Sequence, residues 1–381
     1  MSIDEESLEL HKKLNGKISI VAKTKIQNAK DLSLLYTPGV AKACMEIHKN
    51  KEKAYELTIK GRNVAVVSDG TRVLGLGDIG PEAALPVMEG KAMIMQQFSG
   101  IDAYPICLDT KDAEEIINVV KAIAPNFGAI NLEDIETPKV FYIEKRLTEE
   151  LNIPVFHDDQ HGTAIVVLAG IYNSLKLIGK NEKQVKVGVV GAGSAGFAIA
   201  KLLEGAGFSN IVVFDSKGAI SNNRTEIEEY KKELAALNKS NFSGKISEFL
   251  GADIIVSASA PGSLPKETVR AMHKNNVVFA LTNPKSEFTL EEAKELGIFI
   301  FGTGRSDYPN QVNNSLCFPG FLRALLELRV RKITQKMKIA AARAIADCVE
   351  NPTREKIVPE VFDKRIVGRI IEYVSKEVKG A

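Results

Sequence analysis

The chain has 381 residues, more than one hydrophobic core ordinarily organises, so two domains are the expectation. Its 45% hydrophobic and 26% charged content is that of a globular enzyme, and a formal net charge of +2 with scattered Lys and Arg argues against nucleic acid as the main partner. Cys44, Cys107, Cys317 and Cys348 lie far apart with no C-x-x-C pair, which disfavours a zinc site or a disulfide framework. The acidic start at residues 2–6 lacks a basic n-region, and no apolar run reaches the roughly 18 uncharged residues of a membrane helix, so a cytoplasmic location away from membranes is expected.

Residues 7–13 fit a short amphipathic helix, and 17–25 alternate like a strand through Ile18, Ile20 and Ala22. Asp31-Leu32-Ser33 can open a second helix. Tyr36 precedes Thr37-Pro38-Gly39 and so sits at a turn before a helix over 41–49. Residues 63–67, Asp69-Gly70 and 72–74 read as a hairpin around a D-G turn. A helix over 85–98 places Lys91 near its start. Strands at 102–108, 127–132 and 153–156 then alternate with helices at 110–123 and 138–150. This rhythm predicts a small parallel sheet whose carboxyl-end loops carry Asp109, Glu133-Asp134 and Asp158-Asp159.

Gly162 reads as a break, and 163–178 as a buried helix. From Val185 the alternation restarts, with strands at 186–190, 210–214, 253–256, 276–281 and 298–301, and helices at 194–204 and 224–238. Helices at 333–348 and 366–378 close the chain. The fold class is α/β. An N-terminal α/β domain with a small parallel sheet (1–160) is followed by a Rossmann-like, doubly wound nucleotide-binding domain with a C-terminal helical tail (161–381).

G-x-G-x-x-G occurs twice. At Gly191-Ala192-Gly193-Ser194-Ala195-Gly196 it follows an apolar strand and opens a helix, and Asp215 ends the next strand. In that context the glycines allow a tight turn and close approach to a pyrophosphate, which points to NAD or NADP. Asp215 suits a ribose 2′-hydroxyl and favours NAD, whereas the adjacent Ser216-Lys217 suits a 2′-phosphate. The other match, Gly75-Leu76-Gly77-Asp78-Ile79-Gly80, follows the predicted hairpin and contains an acid that would repel a pyrophosphate; it reads as a flexible loop.

Two acid pairs in equivalent strand-end positions, Glu133-Asp134 and Asp158-Asp159, offer hard oxygen ligands for Mg²⁺ or Mn²⁺. Helix capping alone explains either pair taken singly; the equivalence of the two favours a metal site. His157 and His161 read as structural or supporting groups. Lys91 near a helix start would have a depressed pKa, useful in a base. Taken alone, it could equally be a surface lysine, and Tyr36 a packing tyrosine.

The ordered set of Leu35-Tyr36-Thr37-Pro38-Gly39-Val40, Ser68-Asp69-Gly70-Thr71-Arg72, Gly75 to Asp78, Gly90-Lys91, Leu132-Glu133-Asp134, His157 to Thr163, the Gly191 loop, Leu281-Thr282-Asn283-Pro284 and Asn313-Asn314 with Phe318-Pro319-Gly320 closely resembles the short prokaryotic malic enzymes. The resemblance covers residues 36 to about 323. It implies divalent-metal-dependent oxidative decarboxylation of (S)-malate to pyruvate and CO₂ with reduction of NAD(P)⁺. It further implies Lys91 as the base at the C2 hydroxyl, Tyr36 as the acid at C3, and Asp158 as the partner that tunes Lys91. Glu133, Asp134 and Asp159 would be metal ligands, Arg72, Asn283 and Asn314 malate contacts, and Asn283 a nicotinamide contact as well. A homodimer is expected, with the segment before Tyr36 crossing to the partner. Gln160-His161 departs from the pair common in longer members. A malate-to-lactate lyase and a non-catalytic nucleotide sensor are the alternatives.

Overall fold

A computed structural model describes residues 2–225, 227–282 and 286–379. Four helices open the chain: α1 (Ile3–Leu14), α2 (Ala29–Leu35), α3 (Val40–Lys49) and α4 (Ala54–Leu57). Local signals start them, with Ser2 accepting from the Glu5 amide and Asn28 from the Asp31 amide. None of the four contributes a buried residue. The strand expected at 17–25 is absent; residues 18–25 are exposed and join no sheet, so the alternation has no ladder to complete.

β1 (Asn63–Ser68) is buried at every residue. It lies inside a four-stranded sheet with β2 (Asp102–Cys107), β3 (Ala129–Leu132) and β4 (Val155–His157), in the order β2-β1-β3-β4 and parallel throughout. The expected hairpin at 63–74 is therefore wrong. A continuous apolar run marks a strand covered on both faces, and Asp69-Gly70 leads into a loop whose antiparallel pairing is a single Val73–Gly77 bridge. The crossovers are α5 (Pro81–Ser99), α6 (Ala113–Ile123) and α7 (Lys139–Glu150).

α8 (Asp158–Ile178) starts directly at the end of β4, at the acids themselves rather than after Gly162. Gly162 lies within the helix, and the Asp158 carboxylate fills the space a side chain there would need; a Cβ would meet Asp158 Oδ1 at 1.9 Å. By length and composition α8 could cross a membrane, yet 67% of its apolar stretch is buried inside the fold. A boundary at 160/161 falls in its first turn.

The second sheet contains β5 (Lys186–Val190), β6 (Asn210–Asp215), β7 (Gly218–Ala219), β8 (Ile254–Ser257), β9 (Val277–Ala280) and β10 (Ile300–Thr303). Its order, β7-β6-β5-β8-β9-β10, is the 3-2-1-4-5-6 order of dinucleotide-binding folds, parallel except for β7. α9 (Ser194–Gly205), α10 (Glu229–Leu237), α11 (Lys266–Arg270) and α12 (Leu290–Glu295) connect it. α10 is shorter than the helix expected over 224–238. α13 (Phe318–Glu327), α14 (Gln335–Ala346) and α15 (Arg365–Lys379) form the tail. One hydrophobic core takes in Val64 and Val66 of the first sheet, the length of α8, Val187 and Val256 of the second sheet, and the inner faces of α13 to α15. Asn173 within α8 donates to the carbonyls of Ala346 (2.9 Å) and Ile357 (2.8 Å), which ties the tail to that helix.

Candidate active site

The parallel register places Leu132 beside His157, so the acids that follow β3 and β4 emerge side by side at the carboxyl edge of the sheet. One carboxylate oxygen each from Glu133, Asp134 and Asp159 lies within 4.8 Å of the others. Asp134 adopts a left-handed backbone (φ 53°) at this corner, and its amide donates to Asp159 Oδ2 at 2.8 Å. Asn131 Nδ2 orients Glu133 through a 2.9 Å bond to Oε2. Burial, reinforced by the Asp159 charge, raises Glu133 well above the usual carboxylate range and Asp134 to about 7. Burial also opposes ionisation of Asp159, but the His157 ring, its Nε2 3.5 Å from Oδ2, with Lys91 and the Asp134 amide, holds it below the usual range.

Packed acids of this kind repel one another unless a cation lies among them. Asp134 Oδ2 is buried with no hydrogen-bond partner among the described residues. An orphaned oxygen within a set of hard oxygen donors fits Mg²⁺ or Mn²⁺.

Lys91 is in the middle of α5, not near its start, so the helix dipole does not depress its pKa. Its Nζ bonds the Asp158 carboxylate, lies 2.9 Å from Glu133 Oε1, and sits 4.3 Å from the centroid of the Phe318 ring. Burial favours the neutral amine, but Asp158, Glu133 and Asp159 together outweigh it and hold Lys91 above its ordinary value. This reverses the direction expected from sequence.

Arg72 stands on a loop whose fold depends on residues that no motif reading had assigned a role. Asp69, 1% exposed, accepts from the Thr71 amide (3.1 Å), the Thr71 hydroxyl (2.6 Å) and Lys139 Nζ (2.7 Å). The Arg72 amide donates to the Asp134 carbonyl at 3.1 Å, and Arg72 Nη1 donates to Ser194 Oγ at 2.9 Å. The loop thus spans the acids and the glycine loop. Asn314 reaches the same place, since its Cβ lies 3.2 Å from the position of a Cβ on Gly162. Asn283 lies outside the described residues. Tyr36 is not brought to the cluster; it ends α2, is 64% exposed, and its hydroxyl has no hydrogen bond among the described residues.

The three glycines of the second loop meet three different demands. Gly191 has φ 108°, and a Cβ there would meet the Ala258 carbonyl at 2.5 Å. At Gly196 a Cβ would strike the Gly191 carbonyl at 1.9 Å, whereas Gly193 faces open space. The outer two permit the turn and helix packing, and the middle one leaves room for a ligand at the α9 N-terminus, beside Ala192, Ser194 and Ala195. Asp215 is not free at the end of β6. Oδ1 accepts from the Lys217 amide and Arg224 Nη1, each at 2.9 Å, and Oδ2 from Arg224 Nη2 (3.0 Å) and Lys231 Nζ (3.2 Å). Sequence reasoning missed Arg224 because it read as part of a helix; a basic residue in a turn after the acidic strand end was the available signal.

Comparison with known proteins agrees with this architecture. The family model described as "Malic enzyme, N-terminal domain" matches residues 15–148, and "Malic enzyme, NAD binding domain" matches 160–378. The chain is 50% identical over 381 residues to the bifunctional malic/malolactic enzyme of Bacillus subtilis, covering 99% of this chain and 93% of that one. It is 51% identical to the NAD-dependent malic enzyme of Geobacillus stearothermophilus, over 98% of this chain and 78% of the relative. The crystal structure of malic enzyme from Pyrococcus horikoshii superposes with a TM-score of 0.96 at 45% identity, covering 100% of this chain and 91% of that one. With both family models matched in order and relatives at half identity over nearly the whole chain, the chain belongs to the malic enzyme family.

Proposed function

We propose that the protein oxidatively decarboxylates (S)-malate to pyruvate and CO₂ with reduction of NAD⁺ or NADP⁺, and that it also decarboxylates oxaloacetate. The observation that carries this reading is the placement of Lys91 between Asp158 and Glu133, beside three clustered acids, with Arg72 bridging to the nucleotide loop. Residues 1–160 supply the malate and metal half, and 161–381 the nucleotide half.

In this reading Glu133, Asp134 and Asp159 hold Mg²⁺ or Mn²⁺. When bound, the ion supplies positive charge that polarises the C2 oxygen and stabilises the developing enolate. Arg72 grips a malate carboxylate through its planar fork of donors, and Asn314 and Asn283 add neutral hydrogen bonds. Lys91, held as an ammonium by the three acids, would serve as the base at the C2 hydroxyl only after giving up its own proton, which a cation charge offsetting Glu133 and Asp159 favours, and Asp158 would fix the amine in line. The glycine loop at the α9 N-terminus would hold the dinucleotide, which would supply the acceptor for the C2 hydride. Tyr36 returns a proton at C3 after CO₂ leaves.

Tyr36 can serve this site only if it arrives from a second copy of the chain. The exposed apolar residues of the first sixty positions, among them Leu8, Leu10, Leu32, Leu34 and Leu35, support a homodimer built through that segment. The assembly is cytoplasmic in this reading. Mixing Tyr36→Phe with Lys91→Ala protein tests the arrangement: a site shared between subunits regains turnover in the mixed dimer, and a site within one chain does not.

Steady-state assay with malate and Mn²⁺, run with NAD⁺ and again with NADP⁺, tests the activity itself. The name of the Bacillus subtilis relative favours a second reading, conversion of malate to lactate. Lactate without net NAD(P)H would establish it in place of the first.

A further inference from the structure

Beside the clustered acids three side chains from three helices meet: Glu144 of α7, His161 of α8 and Lys338 of α14. His161 Nε2 lies 2.8 Å from Glu144 Oε1, and Nδ1 lies 2.9 Å from Lys338 Nζ. These contacts define the ring. An ammonium group only donates, so Nδ1 accepts, and Nε2 carries the hydrogen that Glu144 accepts. Glu144 and His161 are only 14% and 15% exposed in their side chains. Charged groups so far from water add little stability beyond what apolar packing would give.

α8 has no side-chain hydrogen bond capping its N-terminus, so no such bond holds the turn that carries Asp158 and Asp159. Residues 159 and 161 are about 200° apart around a helix of 3.6 residues per turn. Asp159 therefore faces the acids while His161 points into the seam between α7 and α14. A second thread runs along the same turn, from Gln160 Oε1 to His157 Nδ1 at 3.2 Å and from His157 Nε2 to Asp159 Oδ2 at 3.5 Å. We propose that Glu144, His161 and Lys338 are positioning residues that pin the first turn of α8 from behind and so aim the Asp159 carboxylate at a divalent cation. The inference rests on the metal-site reading above and extends it to α7 and α14, outside every motif. It makes cation affinity depend on a helix of the C-terminal tail.

Direct Mn²⁺ titration of the full-length protein, read from the electron paramagnetic resonance signal of free Mn²⁺, tests this without turnover. Lys338→Met and Glu144→Leu are expected to weaken Mn²⁺ binding by about tenfold or more, the loss typical when a ligand's support is removed. Dinucleotide binding should stay within about twofold. Glu144→Gln, whose amide oxygen still accepts from Nε2–H, should recover most of the affinity. Unchanged Mn²⁺ binding in Lys338→Met and Glu144→Leu overturns the inference while leaving the metal site standing. Parallel loss of Mn²⁺ and dinucleotide binding with a lowered melting temperature also overturns it, as general loosening. Wild-type protein that binds no Mn²⁺ removes the metal-site reading and this inference together.

Discussion

Arg72 Nη1 donates to Ser194 Oγ across 2.9 Å, and this bond joins the loop after β1 to the first residue of α9. The group proposed to grip malate therefore touches the helix end proposed to hold the pyrophosphate. Each ligand that orders one side of the bond favours the geometry the other needs, which is a coupling free energy between two sites. Ser194→Ala should reduce the ratio of malate affinities measured with and without dinucleotide by about three- to tenfold, the net worth of one ordinary hydrogen bond. An unchanged ratio would show that the contact carries no coupling.

Gly162→Ala tests the Lys91–Asp158 pair without touching either residue. The added methyl would lie 1.9 Å from Asp158 Oδ1, so the carboxylate must move off Lys91. A displacement near 1 Å in a reacting constellation costs about a hundredfold in rate. Turnover should fall by that order while dinucleotide binding survives. Normal turnover in this variant would mean that Asp158 has no fixed role.

Chelation should stop turnover and added Mn²⁺ restore it. In Asp159→Ala, Mn²⁺ should fail to restore it, with dinucleotide affinity within about twofold of wild type. Equilibrium binding of the dinucleotide, measured beside the assay, separates the two functions; joint loss would contradict the assignment of Asp159 to the metal half alone.

The Asp215 carboxylate already receives four donors, as many as its lone pairs accommodate. Lys231 is shared with Glu228 at 2.7 Å, so Arg224 is the cation at this strand end that would meet a ribose 2′ substituent. We expect acceptance of NADP⁺ alongside NAD⁺. Arg224→Leu should raise the KM for NADP⁺ about tenfold or more and leave that for NAD⁺ within threefold. An equal rise for both cofactors would assign Arg224 to general support of the loop.

Glu144 has a pH signature. Burial opposes its ionisation, but His161 and Lys338 outweigh it and lower the carboxyl to about 2 from an ordinary 4.5. A group depressed on folding stabilises fully above its unfolded value, and that contribution drains away as pH falls toward the folded value. The melting-temperature gap between wild type and Glu144→Gln should therefore narrow as pH drops from 6 to 4. A gap that widens over that interval would give the opposite sign.

The strand–helix rhythm and the glycine loop were legible because period and punctuation are local properties. β1, β3, β5 and β6 lie where apolar runs placed them, and Glu133, Asp134 and Asp159 converge as their equivalent strand-end positions implied. What failed depended on tertiary partners. Asp69-Gly70 reads as a hairpin turn until Lys139 and Thr71 are seen holding Asp69. Gly162 reads as a helix breaker until Asp158 fills the space beside it. The sign of the Lys91 shift was out of reach because its three acid neighbours are remote in sequence.

The core shared through α8 bears on how the molecule comes apart. Val64 and Val66 of one sheet and Val187 and Val256 of the other belong to a single apolar cluster wrapped around that helix. Neither half can lose its inner face without exposing the other's, so denaturation should proceed as one all-or-none event and not in two stages. Cutting the chain within residues 158–178 would likewise leave two fragments, each with half of an interior.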